Sequence, residues 1–189
     1  MKRFSDALVH AATEYELDGY SFDWEYRGWT ADDEAINARF VLQLAWRLAQ
    51  VGKRVSVAID NATHPNLDLD LLRSHPSVSI ITMSSYSSNR SAFENVVETA
   101  VATKLPYSCG LSCAHGFPGT GVNTTAEIES RLGFLQSRGV TSVSIFGDWR
   151  NDSTHPPVDT QTLIDVFAPP LRRFLQLKLD DTKPQSKPE

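Results

Sequence analysis

The sequence lacks an excess of positive charge and has no long apolar segment. Its 189 residues contain 18 Lys and Arg against 23 Asp and Glu, which gives a formal net charge of −5. Binding to nucleic acid requires a basic face, so this balance argues against nucleic acid as the main partner. No apolar run approaches the ~18 residues that a membrane helix needs, and the amphipathic segment after Arg3 lacks the apolar core of a signal peptide. We therefore expect no membrane partner, and a secreted or lysosomal location only if a further N-terminal segment carries a signal.

Cysteine and histidine are scarce, and their spacing indicates neither a metal site nor a disulfide. If Cys109 and Cys113 both lie on one extended strand, they are about 13 Å apart at ~3.3 Å per residue. That separation is too long for an intrachain disulfide. The five His residues show no metal-ligand spacing, and no Gly-rich phosphate loop follows a predicted strand. We predict no metal and no cofactor.

Short β-branched runs alternate with segments of helical period along a chain long enough for one domain. The predicted strands cover residues 19–25, 54–60, 78–83, 107–112 and 141–146. The predicted helices cover 32–51, 67–74, 91–103, 125–138 and 160–178, with Ser91 as the N-cap of the third and Gly139 ending the fourth. This rhythm implies a parallel α/β sheet with crossover helices, and by itself it fits either a barrel or a doubly wound open sheet. The polar tail 180–189 is predicted to be disordered.

The first predicted strand alternates between aromatic and polar side chains. Ser21, Asp23 and Glu25 share one face, and the four aromatic residues from Tyr20 to Tyr26 share the other. On a surface sheet the polar face would simply contact solvent. Parallel strands are normally covered on both faces, however, and two carboxylates ~6.6 Å apart inside a barrel are costly unless they are hydrogen-bonded or functional. Like charge and partial burial favour a proton on one of them, which is what a general acid needs.

The segment from Asp18 to Glu25 resembles the DGxDxDxE motif on strand four of glycoside hydrolase family 18, which includes chitinases, chitobiases and endo-β-N-acetylglucosaminidases. The resemblance implies a partial TIM barrel in which this chain supplies strands four to eight and their helices, with the first three strands missing. It also implies that Glu25 protonates the glycosidic oxygen while Asp23 orients the 2-acetamido group, whose carbonyl oxygen acts as nucleophile. Ser21 replaces the middle Asp of the motif, as a neutral polar residue does in chitobiase-like members.

Other segments extend the resemblance. Met83-Ser84-Ser85-Tyr86 is similar to the Met-x-Tyr segment of strand six, with one extra residue, and implies that Tyr86 contacts the acetamido oxygen. By the same resemblance Trp149 is the aromatic floor under the sugar, and Asp18, Asp60 and Met83 also line the substrate cleft. The alternative for Tyr86 and Trp149 is an ordinary packing role.

The function expected from this pattern is substrate-assisted hydrolysis of β-linked N-acetylglucosamine glycans, with an oligosaccharide or chitin as partner. Alternatives are a non-catalytic carbohydrate-binding protein and a scaffold whose acidic strand is only structural. Residues 1–179 would form the incomplete barrel of a gene fragment, of a shortened protein that self-associates through its sheet edges, or of a pseudoenzyme. Four sequons, all in predicted loops, are a mild indication of a glycoprotein: Asn61, Asn89, Asn123 and Asn151.

Overall fold

The computed structural model describes residues 2–24, 30–60, 67–87, 89–112, 124–146 and 167–175. The strands are β1 (Gly19–Asp23), β2 (Arg54–Ile59), β3 (Val78–Thr82), β4 (Tyr107–Ser112) and β5 (Val143–Phe146). The helices are α1 (Lys2–Glu14), α2 (Ala31–Ala49), α3 (Leu69–Leu72), α4 (Arg90–Ala102) and α5 (Thr125–Ser137). A 3₁₀ turn spans Ser84–Tyr86, and residues 167–175 form a further helical segment.

The five strands form one parallel sheet whose spatial order is the order of the chain, β1-β2-β3-β4-β5. A doubly wound sheet instead reverses its strand order at a switch point. Because this sheet has no reversal and curls around one side, it is the sheet of a partial TIM barrel. The sequence-based prediction of an α/β half-barrel is therefore confirmed, and the doubly wound alternative is removed.

The two faces of the sheet have different neighbours. On β2, Val55, Val57 and Ile59 are buried beneath the helices, whereas the alternate residues Ser56 and Ala58 are half-buried. We call the face that carries Val55, Val57 and Ile59 the helix-facing side, and the face that carries Ser56 and Ala58 the concave side. The helix-facing side packs into two apolar clusters, one with α1, α2 and α3, the other with α4, α5 and the segment 167–175. In the part of the chain that the structure describes, the helices thus cover one face only, as they do in a barrel.

Two local predictions for α4 are wrong. The N-cap is Asn89 and not Ser91, since the Asn89 side chain accepts a hydrogen bond from the backbone N–H of Ala92 at 3.0 Å. Glu94, three residues after Ser91 where a capping-box partner would stand, instead pairs with Arg90 one turn earlier at 2.6 Å. The sequon at Asn89 therefore runs into a helix and does not lie wholly in a loop.

Other boundaries agree closely with the sequence. Gly139 has φ +72°, the left-handed conformation expected just after α5. The short helix predicted over 67–74 is reduced to the single turn of α3. Among the helices within the described ranges, none combines the length and apolarity needed to cross a bilayer. The predicted tail 180–189 and the sequons at Asn61, Asn123 and Asn151 lie outside the described residues.

Candidate functional site

Gly19 fixes the beginning of β1 beside β2. A Cβ atom at this position would lie 2.0 Å from the carbonyl oxygen of Arg54, so only glycine permits this approach of the two backbones. The backbone N–H of Arg54 donates to the carbonyl of Asp18 at 3.0 Å. Asp18 is therefore an exposed residue at the amino end of the strand, about 17 Å from Asp23 along five residues at ~3.3 Å each. The structure does not bring Asp18 together with the other predicted site residues.

Asp23 ends β1 on the concave side, and Ser21 precedes it on the same side. Both side chains are exposed, while the intervening Phe22 is half-buried, as the alternation predicts. Phe22 and Trp24 pack on the opposite side against Phe40 of α2, with ring centroids 5.7 and 6.0 Å from that of Phe40. These aromatic contacts fix which way the strand faces, and they direct Asp23 to the concave side at the carboxyl end, where barrel active sites lie.

Asp60 follows β2 at the same end and anchors the connection that leaves β3. Ser84 donates its hydroxyl to the Asp60 carboxylate and its backbone N–H to the Asp60 carbonyl, the latter at 2.8 Å. The backbone N–H of Met83 donates to the carbonyl of Ile59 at 2.9 Å. Because Asp23 pairs with Ala58 in the sheet register, Asp60 stands two residues further along the neighbouring strand. Asp60 and Met83 thus lie at the same end of the sheet as Asp23, one and two strands away, and their place in a substrate cleft stays a prediction.

Tyr86 ends the 3₁₀ turn and lies against β4. The preceding residue, Ser85, is fully buried, and its hydroxyl lies 2.8 Å from the carbonyl oxygen of Gly110 and 2.9 Å from that of Thr82. A Cβ atom on Gly110 would come within 2.4 Å of Cε1 of Tyr86, so the glycine makes room for the ring. The 3₁₀ turn contains Ser84 and Ser85, the two residues between Met83 and Tyr86, where the Met-x-Tyr pattern has one.

A buried hydroxyl network supports this turn from the helix-facing side. Thr82 Oγ1 lies 2.8 Å from Ser85 Oγ and 2.9 Å from the Tyr107 hydroxyl. Burial raises the pKa of Tyr107 far above its ordinary value, and burial also raises the pKa of the Cys109 thiol. Both groups therefore stay protonated at neutral pH, so neither is suited to act as a base or as a thiolate nucleophile. We assign this network a supporting role.

Sequence reasoning missed Ser84, Ser85 and Gly110 as contributors to the site. Their contacts join residues 24 to 25 positions apart, which no local pattern encodes. The one available signal was the glycine inside a predicted strand, which often marks a close approach of another group. Glu25 and Trp149, predicted as general acid and sugar platform, lie outside the described residues.

A cavity of about 840 Å³ lies at the other end of the sheet. Arg54, Pro106, Ser108, Arg138 and Thr141 are among its lining residues. These residues belong to the amino ends of β2, β4 and β5 or to the connections before them, so the cavity is separate from Asp23 and Tyr86. Within the described ranges, no three His, Cys, Asp or Glu side chains converge as a metal site. The absence of a cofactor remains a prediction.

Solved structures with a similar fold include enzymes of different chemistry. A chitinase from Chromobacterium violaceum ATCC 12472 superposes with a TM-score of 0.62 at 14% identity, over 90% of this chain and 70% of that chain. D-psicose 3-epimerase from Clostridium cellulolyticum H10 gives 0.55 at 15% identity, over 93% of this chain and 69% of that one. An endo-β-1,4-glucanase from Xanthomonas axonopodis pv. citri gives 0.53 at 13% identity, over 90% and 65%.

The chain is a partial TIM barrel. At these identities the likenesses show the fold alone, since one TIM barrel supports many chemistries. Each of the three relatives is longer, and this chain spans about two thirds of their length. No protein-family model matches the sequence, and no curated protein matches it.

Proposed function

We propose that this chain is part of a glycosidase that hydrolyses β-linked N-acetylglucosamine glycans by substrate-assisted acid catalysis. The observation that carries the proposal is the position of Asp23. Its carboxylate lies on the concave side at the carboxyl end of β1, the end of the sheet at which Asp60 follows β2 and Tyr86 follows β3. Catalytic residues of TIM-barrel enzymes come from the carboxyl ends of several different strands, and these three residues follow that arrangement.

In the proposed mechanism Glu25 donates its proton to the glycosidic oxygen as the bond to the anomeric carbon breaks. Asp23 accepts a hydrogen bond from the N–H of the 2-acetamido group, and the carbonyl oxygen of that group attacks the anomeric carbon. The Tyr86 hydroxyl donates to the same carbonyl oxygen and holds it in line. Water then opens the cyclic intermediate, with the Glu25 carboxylate now accepting the proton of that water.

The remaining predicted residues have binding roles in this proposal. Ser21 donates a hydrogen bond to Asp23 in place of the second carboxyl that the family motif carries there. Trp149 stacks on the apolar face of the sugar, and Asp60 and Met83 line the cleft on the adjacent strands. We leave Asp18 out of the proposed site because it stands at the amino end of β1.

A non-catalytic sugar-binding protein is the second candidate, and Ser21 is the residue that favours it. A serine beside Asp23 can donate a hydrogen bond but cannot take up or release a proton as a carboxyl does. A protein that retains the cleft, but in which serine does not replace the function of this carboxyl, would bind the glycan without cleaving it.

The test is hydrolysis of 4-nitrophenyl glycosides of N-acetylglucosamine oligosaccharides by the full chain, its variants Glu25→Gln and Asp23→Asn, and a matched control. Each site variant is expected to lose at least about 10²-fold in kcat/KM, the usual contribution of a positioned acid or base. The control is Asp70→Asn, which removes an exposed carboxylate on α3 in the outer helical layer. Glycan binding measured by calorimetry without turnover would support the second candidate, and unchanged turnover in Asp23→Asn would contradict the proposed mechanism.

A further inference from the structure

Arg131 is the largest fully buried side chain among the described residues. It lies on the face of α5 that also buries Ile128, Leu132 and Leu135. A guanidinium group in such a place costs free energy unless its donors are paired. Its Nε donates to Glu127 at 2.9 Å, and its central carbon lies 4.5 Å from the ring centroid of Phe93 on α4.

The guanidinium also reaches across to the connection after β3. Nη1 of Arg131 donates to the carbonyl oxygen of Ser87 at 2.8 Å. Ser87 is the residue directly after Tyr86, and its backbone is extended, with φ −50° and ψ 135°. Arg131 thus fixes the chain on the carboxyl side of Tyr86 from a helix 44 residues away.

Two further contacts restrain Tyr86, one at the residue before it and one at its ring. Ser85 fixes the chain on its amino side through the carbonyl of Gly110, and Gly110 itself lies against the ring. Tyr86 is therefore flanked by two anchored neighbours and contacts the backbone of β4. Together these contacts limit both the position of its Cα atom and the direction of its ring.

We propose that Arg131 is a positioning residue for Tyr86, and that Ser85 and Gly110 complete the same clamp. The inference rests on the proposed function, in which the Tyr86 hydroxyl contacts the acetamido group of the substrate. Arg131 touches no substrate in this proposal. It acts by holding the Ser87 carbonyl, so that the tyrosine hydroxyl is fixed before substrate arrives, which lowers the entropic cost of reaching the reactive geometry.

A purely structural role for Arg131 is the alternative, in which it only ties α4 to α5. Arg138, just after α5, makes contacts of that kind. It pairs with Glu98 of α4, and its central carbon lies 4.9 Å from the ring centroid of Phe134. Its described hydrogen bonds go to Glu98 and Ser137, away from the 3₁₀ turn. Arg138→Met is therefore the matched control for the loss of an arginine between these two helices.

The first experiment needs no substrate. The full chain is labelled with 3-fluorotyrosine, and the ¹⁹F NMR signal of Tyr86 is assigned by its loss in Tyr86→Phe. Arg131→Lys keeps the charge but loses the planar fork that reaches Ser87 and Glu127 together. In folded Arg131→Lys and Ser85→Ala, the Tyr86 signal is expected to shift or broaden well beyond the change caused by Arg138→Met. A Tyr86 signal that is unchanged in both folded variants would overturn the proposal.

The second experiment measures coupling between the two residues. Under the proposed function, Arg131→Lys lowers kcat/KM on an N-acetylglucosaminide, and it lowers it far less when Tyr86 is already phenylalanine. Additive losses in the double variant would show that Arg131 does not act through Tyr86. If the wild-type chain turns over no substrate, the proposed function fails, but the ¹⁹F result still decides whether Arg131 positions Tyr86. Arg131→Lys and Ser85→Ala are chosen because they are the mildest changes that remove these contacts, so that the variants still fold.

Discussion

Two neighbouring isoleucines on β3 face opposite ways. Ile80 is fully buried on the helix-facing side, whereas Ile81 lies on the concave side and is half-buried. The same division holds on β2, where Val57 is buried and Ala58 is half-buried. The helix-facing side of β2 and β3 is built mainly from branched apolar side chains, whereas the concave side of β1 to β3 carries, besides Arg54 and Ile81, serines, small residues and the Asp23 carboxylate.

The register places a row of polar side chains across the concave side. Ser21, Ser56 and Ser79 are directly aligned across β1, β2 and β3. A closed TIM barrel fills its interior mainly with bulky branched residues, and a row of three serines supplies little of that packing. The helix-facing side therefore stabilises these strands, which leaves the concave side available for the polar groups that a binding site requires.

The largest expected effect is a difference in stability between Ile80→Ala and Ile81→Ala. Removing the buried side chain should lower the free energy of unfolding by about 3 kcal/mol, because it leaves a cavity beneath the helices. Removing the half-buried one should cost about 1 kcal/mol, since that face has fewer packing partners. Urea denaturation of both variants gives the two values, with equal m-values as the control for two-state unfolding. Equal losses would mean that the two sides are packed alike.

The positions of the strands could be predicted because each is a short apolar or alternating run, and most are followed by a segment of helical period. Their spatial order was implied only by the resemblance, since the rhythm alone also fits a doubly wound sheet. The facing of Asp23 could also be predicted, since alternation along one strand is a local property. Tertiary contacts could not be predicted. Arg131 and Glu127 are spaced like an exposed ion pair on a helix, and only the structure shows that Arg131 is buried beneath the connection from β3. The apolar spacing of Ile128, Leu132 and Leu135 around it was the one sequence signal of that burial.

Asp18 shows the limit of transferring a whole motif. The Asp-Gly pair at the beginning of β1 resembles part of a catalytic motif, and the sequence therefore placed Asp18 with the substrate-binding residues. In the structure the pair serves the backbone pairing of β1 with β2. Gly19 permits the close approach of the Arg54 backbone, and the Asp18 carbonyl accepts a hydrogen bond from the N–H of Arg54. Residues of one motif can thus serve opposite ends of a strand.

A smaller effect is expected on the helix-facing side when its buried hydroxyl network is broken. Tyr107→Phe removes one partner of Thr82 and should lower the free energy of unfolding by about 1 kcal/mol at neutral pH. Burial raises the pKa of Tyr107 in the folded chain, whereas an unfolded tyrosine loses its proton near pH ~10. Above that pH the unfolded chain binds fewer protons than the folded one, so stability falls as pH rises, by up to about 1.4 kcal/mol per pH unit.

Urea denaturation of wild type and Tyr107→Phe between neutral and strongly alkaline pH measures this component. The variant should lose stability less steeply above pH ~10 because it lacks this titration. The remaining tyrosines are common to both proteins and serve as the internal control. Parallel curves for the two proteins would show that Tyr107 ionises as freely in the folded chain as in the unfolded one.

The smallest effect is expected from removing the concave hydroxyls. Ser56→Ala and Ser79→Ala should each change the free energy of unfolding by less than about 0.5 kcal/mol, because these half-buried side chains pack little. A loss above about 1 kcal/mol would indicate that the hydroxyl is buried in a hydrogen bond, and hence that something covers this face in solution. Repeating the measurement over a range of protein concentrations separates the causes. If the free energy of unfolding of the wild-type chain rises with protein concentration, a second copy of the chain covers this face. If the loss caused by the substitution is the same at every concentration, the covering group belongs to the same chain.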